Sequence, residues 1–451
     1  MARSAMALIL SAAVVALAAC GSSSDKSSSS PSAAGTTTPA VSKKPVKITV
    51  WSGFTERELG VFNNALAEFH KKYPWITVKS IGGVSDDKNL AALRGGDVPD
   101  LMQSFKTDST GSFCKAGAWI DLSPLIKRDK IDINNFPSAV QYYTQSGGTR
   151  CAMPMLADTY GLYWNKDMFA KAGIKSPPKT ISELTAAAKK LTTRKPDGSL
   201  DVVGFDPYIV FYESASAHFG PSWGAKWTDD AGKSALSKGG QWAKFLDWQK
   251  KLIDWYGYDK LVKWQAGSGD EFSPQNAFER GKLAMQIDGE YRTAFINHEH
   301  PELKYGTAPF PVDDAHPDLY GSGYITGNLL GIPKQAKNKE AAWLLAKYLS
   351  LDPHAEAQLS NGLRNVPTTK TALASSEIKN DPKFKVFMDI FANPKSSTSP
   401  ITAAGSANQE LFESWIGKWQ AGKVPDLQAG LAGVDKQIED QLANTTGQQV
   451  P

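Results

Sequence analysis

Four groupings in the sequence carry residue types that could do covalent chemistry. Gly220-Pro-Ser222-Trp-Gly224 fits Gly-x-Ser-x-Gly, the turn that exposes a serine nucleophile between a buried strand and a helix. Residues 213–219 do not read as that strand, and residues 225–233 read as a turn, so the context a nucleophile needs is missing. His298 and His300 flank Glu299, but two apart; they do not form the helical His-Glu-x-x-His that grips a metal, and they read as a surface turn. Carboxylates pair at Asp270/Glu271 and Asp288/Glu290. Two carboxyls can cleave a glycosidic bond only at a set separation, and most such pairs are solvated surface. Gly321-x-Gly323 lacks the third glycine of a dinucleotide loop, and no glycine loop is followed by Lys-Ser/Thr. No catalytic residue, metal ligand or cofactor is therefore expected.

The elements behind these residues point elsewhere. The chain has 451 residues, too many for one compact core, so two lobes or domains are expected. Its net charge of +4 is small and spread along the chain, which gives no nucleic-acid footprint. Aromatics are abundant instead, with 13 Trp, 14 Tyr and 19 Phe. The organising stretch is residues 158–192, DTYGLYWNKDMFAKAGIKSPPKTISELTAAAKKLT. Residues 160–164 read as a buried strand. Residues 166–172 read as a short helix stopped at Gly173. Pro177-Pro178 forces an extended link. Thr180 or Ser182 caps the next helix, whose Ile181, Leu184, Ala188 and Leu191 recur at helical spacing. Earlier, Lys47-Ile-Thr-Val-Trp51 is a first strand, a helix with Leu59, Phe62, Leu66 and Phe69 follows, residues 76–78 form a second strand, and Val98-Pro-Asp-Leu101 starts a third. Strands alternating with helices predict an α/β protein with mostly parallel sheets. Residues 204–227 are unusually aromatic. Asp352-Pro353 caps and opens a helix ending near Gly362, residues 361–368 read as a polar loop, and two amphipathic helices finish the chain.

The order of these phrases resembles the extracellular solute-binding proteins of ABC importers, within them the carbohydrate-binding group. The phrases are Gly-Leu-Tyr-Trp-Asn-Lys-Asp from Gly161, Ala-Gly-Ile from Ala172, Pro-Pro-Lys-Thr-Ile-Ser-Glu-Leu from Pro177, Phe-Glu-Arg-Gly-Lys-Leu-Ala-Met from Phe278, and the glycine-rich run before residues 329–332. The likeness spans nearly the whole chain after its first 44 residues. It implies a two-lobe periplasmic-binding-protein-like fold with a ligand cleft between lobes. Lobe 1 would be residues 45–158 with 309–351 returning, and lobe 2 residues 159–308 with 352–444 returning, before a tail at 445–451. The cleft residues implied are Trp51, Phe105 and Asp108 from the first lobe, and Asp158 at the crossing. Trp223, Gly289 and Tyr291 come from the second lobe, with the turn at Asn328 and the loop at Arg364. Trp51, Trp223 and Tyr291 would stack on sugar faces; Asp108 and Asp158 would accept hydroxyl hydrogen bonds, the charge-assisted kind being stronger. Phe105 and Tyr291 stand where the family often has Trp, and Ser109 where it often has Arg, so the solute class is implied more firmly than the solute.

Residues 1–19 read as a signal peptide: Arg3 gives the positive start, and the apolar run is too short to span a bilayer. Leu17-Ala-Ala-Cys20 resembles a lipobox, the alternative being a plain secretory signal. Lipid on Cys20 would anchor the chain to the outer face of the bacterial membrane, since stable attachment needs more than one acyl chain. Residues 20–44 are rich in Ser, Thr, Ala and Pro and read as a disordered tether of about 25–30 Å reach. With Cys20 acylated outside the cell, Cys114 and Cys151 are expected to bridge, two separately buried thiols being the alternative. The partners implied are a carbohydrate, the importer's permease subunits and, through Cys20, the membrane; a monomer is expected. Two competing readings are the same fold taking a polyol or glycerol phosphodiester, which a Lys/Arg cluster would favour, and a secreted glycan hydrolase.

Overall fold

The computed structural model describes residues 43–115 and 117–447. The signal peptide, Cys20 and nearly all of the expected tether lie outside the described residues.

Ten strands make one continuous sheet. They are β1 (Val46–Trp51), β2 (Ile76–Ile81), β3 (Leu101–Ser104), β4 (Ala152–Asn165), β5 (Thr193–Arg194), β6 (Leu200–Phe205), β7 (Leu283–Gly289), β8 (Tyr305–Ala308), β9 (Ile325–Gly331) and β10 (Val366–Pro367). The organising element is β4. It has 14 residues, and all but Trp164 are buried. At roughly 3.3 Å per residue it spans about 45 Å, longer than one small sheet needs. Its first part pairs antiparallel with β9, from Ala152 opposite Gly331 to Thr159 opposite Ile325. Its second part pairs antiparallel with β7, from Tyr160 opposite Gly289, and with β8, from Leu162 opposite Ala308. The strand expected at 160–164 is thus the end of one longer strand, shared by two halves of the sheet and handed over between Thr159 and Tyr160.

The sheet is mixed, not mostly parallel. β1 runs parallel to β2 and β3, and β6 to β7, where helices connect the strands. The pairs of β3 and β4 with β9, and those of β4 with β7, β8 and β10, are antiparallel. These are the strands by which the chain passes between halves and returns, so direction reverses there.

The helices follow the sequence pattern. Glu56–Lys72 buries Phe62, Ala65, Leu66 and Phe69. Ile181–Leu191 is capped by Thr180, whose hydroxyl accepts from the Glu183 amide at 3.3 Å. Lys166–Lys171 is capped by Asn165, and Gly173 takes the left-handed φ of 65° expected just past a helix end. Asp352 accepts from the His354 and Ala355 amides, with Pro353 in the first turn. This last helix, Pro353–Leu363, packs on Glu56–Lys72, and β10 pairs with the first part of β4. The chain therefore packs against elements of the first half through residue 367. From Pro382–Ala392 it packs on the second part of β4 and on β8. The closing helix Leu427–Gly447 runs past residue 444, where a tail had been expected. Cys114 and Cys151 form a disulfide with Cα atoms 5.4 Å apart, joining the helix Thr110–Lys115 to the residue before β4.

Candidate ligand site

On the first half, two turns leave the carboxyl ends of β1 and β3, where open α/β sheets present ligands. Trp51 ends β1, half-buried, with the Lys88 ammonium 5.4 Å over its ring. The Gly53 amide donates to Gln103 Oε1 at 2.8 Å, and Gln103 Nε2 donates to Asn328 Oδ1 at 3.0 Å. Phe105 lies so close over Gly53 that a Cβ there would meet the ring at 2.2 Å, and it meets Phe54 edge-on at 5.3 Å. Only glycine lets the aromatic settle there. Asp108 sits in the single turn Thr107–Ser109, tied to β9 through Thr107 and Thr326 hydroxyls 2.8 Å apart. Burial pushes its carboxyl up to about 6, against the pull of Lys106 and the Ser109 amide.

On the second half, Gly289 ends β7 and clears space for Tyr291, whose ring lies 2.2 Å from where a Cβ would stand. The Tyr291 hydroxyl donates to Glu213 Oε1 at 3.2 Å. Beside it, Tyr212 and Phe272 are 39% and 45% exposed, with ring centroids 6.5 Å apart. Tyr212 receives a hydrogen bond from the Tyr160 hydroxyl at 3.2 Å. Phe272 rests against the fully buried Arg292, 5.8 Å from its ring. Arg292 is itself fixed by Asp288 at 2.7 Å and Glu279 at 3.1 Å. The two halves meet where the Arg57 guanidinium lies 5.3 Å over Phe295.

The structure keeps Trp51, Phe105, Asp108, Gly289 and Tyr291 at strand ends and turns of the two halves. The other four are held by partners inside the protein. Trp223 is a core residue, 4% exposed and packed on Phe245 and Trp248 at 5.9 and 5.8 Å, because the helix Ser216–Trp223 turns it inward. Asn328 is buried and spent on Gln103. Arg364, at φ 65°, turns its guanidinium to Asp381 at 3.1 Å and over Phe384 at 5.3 Å. The polar loop expected around it is instead the end of a helix followed by buried β10. Asp158 is 4% exposed and accepts from the Asn365 amide, which also donates to Glu290. Tyr212 and Phe272 had not been expected as site residues. The aromatic run at 204–227 pointed to the neighbourhood of Tyr212; Phe272 sits among polar loop residues and carried no signal.

The covalent readings lose their geometry. Ser222 is buried in the last helical turn before Gly224, with a helix and no strand leading into it. Burial pushes the stacked, fully covered His218 down to about 3, so it is neutral. Asp288 is bound to Arg292, and Glu290 accepts from the Thr159 amide at 2.7 Å. Among the described residues no group of three or more His, Cys, Asp or Glu side chains could hold a metal ion. A separate groove of about 490 Å³, lined by Lys195, Lys260, Lys263 and Trp264, contains none of the expected site residues.

The fold and its paired strand-end turns define a two-lobe periplasmic-binding-protein-like molecule. Residues 55–356 match the family of bacterial extracellular solute-binding proteins, and the chain belongs to that family. Among curated relatives it is similar to a maltotriose-binding protein of Pyrococcus abyssi (strain GE5 / Orsay), 22% identical over 339 residues, 74% of this chain and 69% of that protein. It is also similar to the sn-glycerol-3-phosphate-binding periplasmic protein of Brucella abortus (strain 2308), 29% identical over 150 residues, 31% of this chain and 35% of that protein. Among solved structures it resembles CpMnBP1 with mannotriose bound, with TM-score 0.77 and 25% identity over 87% of this chain and 99% of that one. No helix among the described residues is long and apolar enough to cross a membrane.

Proposed function

We propose that this chain captures an oligosaccharide outside the cell and delivers it to the permease of an ABC importer. The observation that carries the reading is the exposed pair Tyr212 and Phe272, held rigidly from behind by Tyr160 and Arg292. Aromatic faces left bare match the apolar C–H faces of sugar rings, and the Asp108 carboxyl would accept hydrogen bonds from sugar hydroxyls. Trp51 and Phe105 supply the matching aromatic surface on the first lobe. The relatives that bind maltotriose and mannotriose support the same class. The protein returns its ligand unchanged: incubation with oligosaccharides should release no product. The lobes are residues 45–158 with 309–373, and 159–308 with 382–444. Cys20 carries the lipid that holds a monomeric receptor at the membrane.

A second reading, a polyol or glycerol phosphodiester as ligand, has the Brucella relative in its favour. The phosphate would need a cation cluster among the strand-end turns, and Arg364 is committed to Asp381. A thermal-shift screen of maltotriose, mannotriose and glycerol 3-phosphate separates the two, since only bound ligand raises the melting temperature.

A further inference from the structure

The handover point on β4 carries two carboxyl groups with no cation to balance them. Asp158 and Glu290 are 4% and 0% exposed. The Asn365 amide nitrogen donates to Asp158 Oδ1 and to Glu290 Oε1, the latter at 3.1 Å. The Thr159 amide donates to Glu290 Oε2 at 2.7 Å. One Asn365 side-chain nitrogen thus holds an oxygen of each carboxyl within hydrogen-bond reach, and two ionised carboxylates there would only accept, with no proton to join them. The surrounding groups offer no countercharge. From the helix Glu56–Lys72, Glu58 adds negative charge, and the neighbouring Arg57 cation pairs with Glu58 itself at 3.7 Å while donating to the Gly362 carbonyl. Tyr143, Tyr160 and Tyr212 face Asp158 as neutral phenols, their hydroxyls pushed up chiefly by burial. Arg292, two residues past Glu290, is held by Asp288 and Glu279, and Arg364, beside Asn365, by Asp381. Desolvation and mutual repulsion thus both favour one shared proton.

The three members come from different parts of the fold. Asp158 lies on the shared strand, Glu290 just after β7 of the second half, and Asn365 just before β10 of the first. We propose that Asp158 and Glu290 share one proton under Asn365, and that this proton latches the two lobes, so that closure and solute capture weaken as the medium turns alkaline. The capture clause rests on the solute-binding reading; the latch itself does not. When the proton leaves, repulsion acts on the 3.1 Å bond from Asn365 to Glu290, which joins the halves.

The test uses the full chain without ligand, as wild type and as Asp158→Asn, whose amide replaces the shared proton by a permanent N–H. Between about pH 6 and about pH 9 the wild type should gain radius of gyration in small-angle scattering and lose melting temperature, and Asp158→Asn should do so much less, because one of the two charges is gone. Titration with mannotriose as probe should then weaken up to about tenfold per pH unit above the transition in the wild type only. If mannotriose and maltotriose fail to bind while the ligand-free difference persists, the sugar reading falls and the latch stands. Equal pH profiles for the two proteins overturn the latch. Should Asp158→Asn not fold, Glu290→Gln takes its place, and failure of both to fold also overturns it, because the site would then require a charge it is argued to exclude.

Discussion

Phe272→Ala is the substitution that separates a binding surface from a core. The ring is 45% exposed and touches Tyr212, Tyr291 and Phe295 at centroid distances of 6.5, 6.4 and 6.2 Å. A sugar ring laid on it would cover about 50 Å² of apolar face, worth about 1.3 kcal/mol at ~25 cal/mol per Å². Removal should therefore weaken oligosaccharide binding about tenfold. Ligand-free stability should change by less than about 1 kcal/mol, since a half-exposed ring leaves no cavity and loses one cation–π contact. Calorimetric titration and a urea melt on the same protein read both quantities. Unchanged affinity with a melt lowered by several kcal/mol would refute the reasoning, because it would make Phe272 a packing residue.

Trp223→Ala should do the opposite, costing about 3–5 kcal/mol in a denaturant melt through the cavity left beside Phe245 and Trp248. Replacing Cys114 and Cys151 by Ser opens a loop of separation 37 and should cost about 4 kcal/mol in the loop-entropy account, read in the same melt. Glu356 is buried against the Thr368 and Thr369 amides and pushed up to about 8, above its unfolded value near 4.5. The unfolded chain then loses that proton first, so this group removes stability as pH rises from about 4.5 to about 8; Glu356→Gln should flatten that part of the melting-temperature profile. Cys20→Ala should move the protein from the membrane to the soluble fraction on cell fractionation.

The helices were legible because each rests on local signals: apolar spacing in Glu56–Lys72, the Thr180 cap, the glycine at 173. The mixed direction of the sheet was not. Antiparallel pairing of β4 with β9 joins residues more than 160 apart, as in Ala152 and Gly331, and no local pattern encodes it. The same distance hides the roles of Asp158 and Asn328. Their partners, Asn365 and Gln103, lie 207 and 225 residues away, so a carboxylate or amide that reads as ligand-facing is consumed inside the protein. The place of Trp51 and Phe105 at strand ends was legible because strand ends can be read locally. The exposure of Phe272 was not legible, because it comes from the loop around it.

Isothermal titration calorimetry of the wild-type protein with mannotriose, maltotriose and glycerol 3-phosphate tests the central claim most directly. Saturable, one-to-one heat with at least one of the two trisaccharides and none with glycerol 3-phosphate is the result expected. Saturable binding of glycerol 3-phosphate, with both trisaccharides inert, would contradict it.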